Sequence, residues 1–151
     1  MAELSIRQSQ GAVPRVAGWV RALRAVYLVC AALLTAGVIG QVFFAGAALL
    51  VNGRYLEMHR VLAHLIELLA MLTVVAGLLT RLSWRIQALG LLFLLLMFAQ
   101  YAFLYAMPAL GLPALRALHA VNALAMFWVA LRLGQRTWQQ LYGGEATRHD
   151  R

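Results

Sequence analysis

Apolar residues run almost unbroken through four stretches, at about residues 22–50, 56–80, 86–107 and 114–133, and polar residues crowd into the breaks between them. About 20 residues rising ~1.5 Å each cross the ~30 Å hydrocarbon core of a bilayer, so each stretch predicts one spanning helix. The expected fold is all-α, an integral membrane four-helix bundle with both chain ends on one side. Residues 1–18 read as a polar lead, 19–134 as the transmembrane domain and 135–151 as a polar tail. Arg21 and Arg24 precede the first stretch as in a secretory leader. That stretch is too long for a leader's apolar region, and further spans follow, so it is read as a retained span.

The breaks carry their own signals. Asn52-Gly53 suits a left-handed helix ending, and Arg81 to Arg85 closes the second span. Pro108, Gly111 and Pro113 predict a compact loop, with Pro113 opening the fourth helix. The first span is rich in Ala and Gly, including Gly37, Gly40 and Gly46, which predicts close packing on a neighbour.

The two halves of the pattern resemble one another. Gln41-Val-Phe-Phe recurs as Gln100-Tyr-Ala-Phe, and His59-Arg-Val-Leu-Ala recurs as His119-Ala-Val-Asn-Ala. Gln41 to His59 is 18 residues and Gln100 to His119 is 19. A tandem repeat of two helical hairpins is expected, its copies related by an axis along the membrane normal. His59 and His119 would then lie at matching depths on the second and fourth helices.

Composition strengthens the membrane reading: 64% of the 151 residues are hydrophobic. All 13 basic residues are Arg, against five acids. In a soluble chain that excess would suggest nucleic acid, but here the arginines flank apolar segments and no nucleic-acid partner is expected. Ten fall on the side of the termini and three, Arg54, Arg60 and Arg116, on the other. The positive-inside rule predicts a multi-pass protein of a bacterial inner membrane with both termini cytoplasmic. The single Cys30 can form no intrachain disulfide.

Candidate chemistry concentrates in Arg54–Glu67. His59, Arg60, His64 and Glu67 share an arc of about 140° on the second helix at ~100° per residue, which predicts a polar arc turned into the bundle. Val61, Leu62, Leu65, Leu69, Leu72 and Ala76 occupy the other side. Glu67 lies about 12 Å deeper than His59, where an unpaired carboxylate costs several kcal/mol and so pairs, neutralises or lines a path. His119, Asn122, Ala123 and Met126 share a face of the fourth helix.

Facing helices of a bundle can clasp a planar metal cofactor between inward imidazoles, most simply a b-type haem with two axial His. On that reading His59 and His119 are the metal ligands, with His64, about 7.5 Å deeper, the rival to His59. Ala63 and Ala123, each four residues after its His, leave room beside the macrocycle, while Arg60, Arg54 or Arg116 meets the propionates. The same residues also fit interfacial anchors, with Arg60 snorkelling. Glu67 and His64 read either as a proton relay or as a structural pair, Glu67 being neutral and bonded to Gln41, Gln100 or a main-chain carbonyl. Gln41, Gln100 and Asn122 can bond between helices. No nucleotide-binding loop, metalloprotease motif or nucleophile elbow occurs.

Glu57-Met-His59-Arg60-Val-Leu-Ala63, together with His119 and Ala123, resembles the second and fourth helices of one four-helix half of the haem A synthase family. The resemblance implies axial ligation by His59 and His119, with Glu57 as a nearby acid. Here there is one half rather than two, Ala120 stands where that family can carry Arg, and Glu57 precedes His59 by two residues rather than three. The whole layout is also similar to small four-span bacterial membrane proteins of unknown function, with His-Arg opening the second span and His-x-x-Asn the fourth.

The leading expectation is a small haem protein for electron transfer or haem handling, not an enzyme on its own. Its partners would be the bilayer, a quinone or membrane redox partner, and further copies or a larger membrane complex. The alternatives are a cofactor-free accessory subunit and a proton-coupled carrier using Glu67 and His64.

Overall fold

The computed structural model describes residues 18–149 except residue 81, with side chains as far as residue 143. The lead at residues 1–17 and Arg81 lie outside the described residues. The described residues form four long helices: α1 (Gly18–Leu50), α2 (Tyr55–Leu79), α3 (Trp84–Tyr101, continuing as a π turn Ala102–Ala106 and a last turn Met107–Ala109) and α4 (Leu118–His149). A 3-10 turn, Pro113–Ala117, leads into α4. All four have the length and composition of a membrane span, so the chain is a multi-pass membrane protein. Successive helices are antiparallel neighbours, and α1 also packs on α4, which sets α2 diagonally across from α4.

Burial divides the molecule along its axis. Tyr27, Leu34, Phe93 and Leu133 are fully buried in the half that carries the chain ends. Thr73, Thr80 and Thr137 are buried with them, each hydroxyl donating to a carbonyl one turn back in its own helix. The core reaches as far as Val38, Ile66, Met97 and Asn122. Beyond that level no described residue is buried. Large apolar side chains such as Leu33, Leu65, Leu95 and Leu124 face outward, as a lipid-facing surface requires.

Small residues set the helix spacing. A methyl group added at Gly37 would meet Ile66 at 2.8 Å, and one at Gly40 would meet Leu62 at 2.9 Å, so α1 lies directly against α2. Tyr27 of α1 fills the space between Gly77 of α2 and Gly90 of α3.

Three sequence expectations need correction. The chain does not leave the helix at Gly134. Leu133 and Thr137 extend the buried face of α4 on either side of Gly134, and the helix continues to His149. Gly53 is not left-handed. The Asn52 side-chain oxygen accepts the Arg54 N–H at 3.0 Å and the Asn52 carbonyl accepts from Tyr55 at 3.1 Å, which turns the chain without it. Among the described residues the left-handed glycine is Gly111 (φ 79°). Bonds from Gly111 N to Pro108 O and from Leu112 N to Met107 O, both 3.0 Å, make it the Schellman ending of α3.

Third, the polar arc of α2 does not all face inward. His59, Ile66, Ala70, Thr73 and Gly77 define the inward face, and Leu62, Leu69 and Ala76, expected on the far side, pack against the core. Arg60 and His64 fall outside that face, with side chains 63% and 73% exposed. The small residues at 70 and 77 allow the closest approach, and they rather than the ionisable groups fix the helix rotation.

Candidate functional site

At the end away from the termini, His59 and His119 meet across the diagonal. Their ring centroids are 6.3 Å apart with planes inclined by 52°. His59 is tied to α1 by a reciprocal pair: its Nδ1 donates to the Gln41 carbonyl at 3.0 Å, and Gln41 Nε2 donates to the His59 carbonyl at 2.9 Å. A carbonyl can only accept, so this contact puts the proton of a neutral ring on Nδ1 and leaves the lone pair on Nε2.

The second hairpin repeats the arrangement less completely. The Gln100 main chain is the hydrogen-bonding group next to His119, but the contact falls short of a formed bond and His119 Nδ1 is buried without a partner. Gln41 Oε1 and Gln100 Oε1 are likewise buried and unpartnered. Three of the four such side-chain atoms among the described residues thus belong to this one layer; Tyr27 Oη is the fourth. Buried polar atoms are nearly always satisfied, so this concentration singles the layer out as the candidate site.

The remaining predicted residues distribute around this layer. Ala63 and Ala123 are half-buried, one turn toward the core from their histidines. Asn122 is buried and donates to the Leu96 carbonyl at 2.8 Å, a structural bond between α3 and α4. Arg60 sits 3.6 Å from Glu57 on the rim. Arg54 lies over the Tyr55 ring at 5.5 Å.

Arg116 has a role the sequence reading missed. Pro108 has no N–H to give the Leu104 carbonyl, the helix widens into a π turn at Ala102–Ala106, and Arg116 Nε donates to that carbonyl at 3.3 Å.

Glu67 also has a partner the sequence reading missed. Tyr101 Oη donates to Glu67 Oε2 at 2.9 Å, and His64 Nδ1 lies 3.6 Å from the same oxygen. Glu67 therefore bridges α2 to α3 at the edge of the inward face, and His64 reaches it from outside. Tyr101 stacks on Tyr105 with centroids 6.5 Å apart, and its hydroxyl turns inward to Glu67.

Two imidazoles are thus brought together from diagonal helices. Two metal–nitrogen bonds of about 2.0 Å, with the metal midway, set coaxial ring centroids about 6 Å apart, close to the observed spacing. Among the described residues no cluster of three or more His, Cys, Asp or Glu is formed, so a closed site made of protein ligands alone is not present there. No curated protein and no solved structure matches the chain. Residues 41–107, from Gln41 through His59 and Glu67 to just past the π turn, match a family of unknown function (DUF6220).

Proposed function

We propose that the protein binds one b-type haem between His59 and His119 and serves electron transfer or haem handling in a bacterial inner membrane. The observation that carries this reading is the 6.3 Å approach of two histidine rings from diagonal helices. Bound there, the haem would supply a one-electron Fe(III)/Fe(II) couple. The chain's own contribution is orientation. The Gln41 carbonyl holds the His59 ring with Nε2 free to ligate, and the Gln100 main chain stands ready to do the same for His119. Ala63 and Ala123 keep methyl-sized neighbours beside the rings, and Arg60 and Arg116 supply cations on the rim for the propionates.

The excess of arginine at the end carrying the termini supports an orientation with that end cytoplasmic and the histidine layer near the outer face. A quinone or a membrane redox subunit is the corresponding electron partner. The bond from Tyr101 to Glu67 favours a structural role for that carboxylate over a carrier function.

Visible spectra of the detergent-purified protein, oxidised and reduced, test the proposal. A low-spin haem band present in the wild type and in His64→Ala, and lost in His59→Ala and His119→Ala, is the expected result. A colourless wild-type protein from cells well supplied with haem overturns it.

A further inference from the structure

The opposite end of the bundle, which carries both termini, holds a cleft of about 470 Å³ between the start of α3 and the late turns of α4. Arg85 comes from one side, Arg136 from the other, and Gln139 and Gln140 complete the wall. Among the described residues no carboxylate lines it. The Gln140 side-chain oxygen accepts the Ser83 N–H at 3.2 Å, which ties the two walls together. The Arg85 guanidinium lies 6.0 Å from the centroid of the neighbouring Trp84 ring.

Two exposed tryptophans set the level. Trp84 and Trp138 are 73% and 57% exposed, and tryptophans so displayed at the ends of spanning helices sit among lipid headgroups. Two arginines from different helices that line one cleft at that depth are suited to a phosphodiester, whose oxygens accept paired N–H donors.

We propose that this cleft binds the phosphate of an anionic phospholipid from the leaflet at the terminal end. Arg85 and Arg136 contribute the charge, and the Gln139 amide an additional donor. The site is independent of the histidine layer and does not rest on haem binding. It also gives the continuation of α4 past Gly134 a purpose, since Arg136 and Gln140 reach the cleft only because the helix does not stop.

Native mass spectrometry of protein released from nanodiscs of mixed phosphatidylglycerol and phosphatidylcholine reads the retained lipid directly. The wild type should keep phosphatidylglycerol in preference to phosphatidylcholine, and the preference should shrink as salt rises from 0.05 to 0.5 M. Arg85→Gln/Arg136→Gln should weaken phosphatidylglycerol retention on the order of 30-fold, and the charge-matched control Arg21→Gln/Arg132→Gln should leave it intact. Equal retention of the two lipids, a salt-independent preference or equal losses in both double variants would overturn the proposal. Displacement of the lipid by millimolar inorganic phosphate would instead identify free phosphate as the ligand and also defeat it.

Discussion

Replacing Tyr101 by Phe removes one oxygen and with it the only hydroxyl donor to Glu67 among the described residues. The bond is 2.9 Å long and Glu67 is 23% exposed, so the carboxyl is largely withdrawn from the surface. In water-soluble proteins a hydrogen bond to a charged group contributes about 1.5–3 kcal/mol. Between membrane helices the measured coupling averages about 0.6 and reaches about 1.7 kcal/mol, because the unfolded chain in lipid also finds partners. His64 Nδ1, 3.6 Å from the same oxygen, remains as a substitute neighbour in the variant. The membrane value therefore governs, and Tyr101→Phe should destabilise the bundle by about 1 kcal/mol. Reversible unfolding by SDS in mixed micelles provides the assay, run as a cycle with Glu67→Leu. In the Glu67→Leu background the Tyr101→Phe change should lose most of its effect, while Glu67→Gln, which keeps an acceptor oxygen, should preserve it. A coupling energy under about 0.3 kcal/mol would show that the two side chains do not hold α2 and α3 together.

Other outcomes follow from packing. Gly37→Ala drives a methyl group to 2.8 Å from Ile66, so it should cost about 1–3 kcal/mol in the same unfolding assay, with part recovered in Gly37→Ala/Ile66→Ala. Tyr27→Phe should be neutral within about 0.5 kcal/mol or stabilising, since the lost hydroxyl is buried without a partner while the ring contacts with Gly77 and Gly90 persist. Pro108→Ala restores an N–H beneath the Leu104 carbonyl; hydrogen exchange at residue 108 should then be slow, and Arg116→Gln should destabilise the wild type but not this variant.

The spans were legible because hydrophobic runs of this length have few alternatives in a membrane protein. The histidine pairing was legible because Gln-to-His spacings of 18 and 19 residues occur in the two halves. Helix rotation was not. The polar side chains of α2 suggested an inward arc through His64, but contact between helices is limited by the bulk at Ala70 and Gly77, which no polarity argument weighs. The partner of Glu67 was hidden for a related reason. In the sequence Tyr101 is one of three aromatic residues within Tyr101–Tyr105, and only the placement of α3 against α2 turns its hydroxyl to the carboxylate. The π turn has a visible cause in Pro108, yet a proline near a helix end usually reads as a stop, and here α3 absorbs it and continues to Ala109. The continuation of α4 lay in the spacing of Leu133 and Thr137, a signal masked by the arginines and glutamines around them.

The ending of the buried core at Val38, Ile66, Met97 and Asn122 has a thermodynamic consequence. The turns beyond that level can open without exposing the packed half, so their amide protons exchange through local fluctuations rather than through global unfolding. Any guest held between His59 and His119 therefore couples first to those openings. Its binding will slow exchange in the outer turns of all four helices before it moves the unfolding midpoint, and that gradient along the bundle axis is a signature of occupancy readable without colour, current or activity.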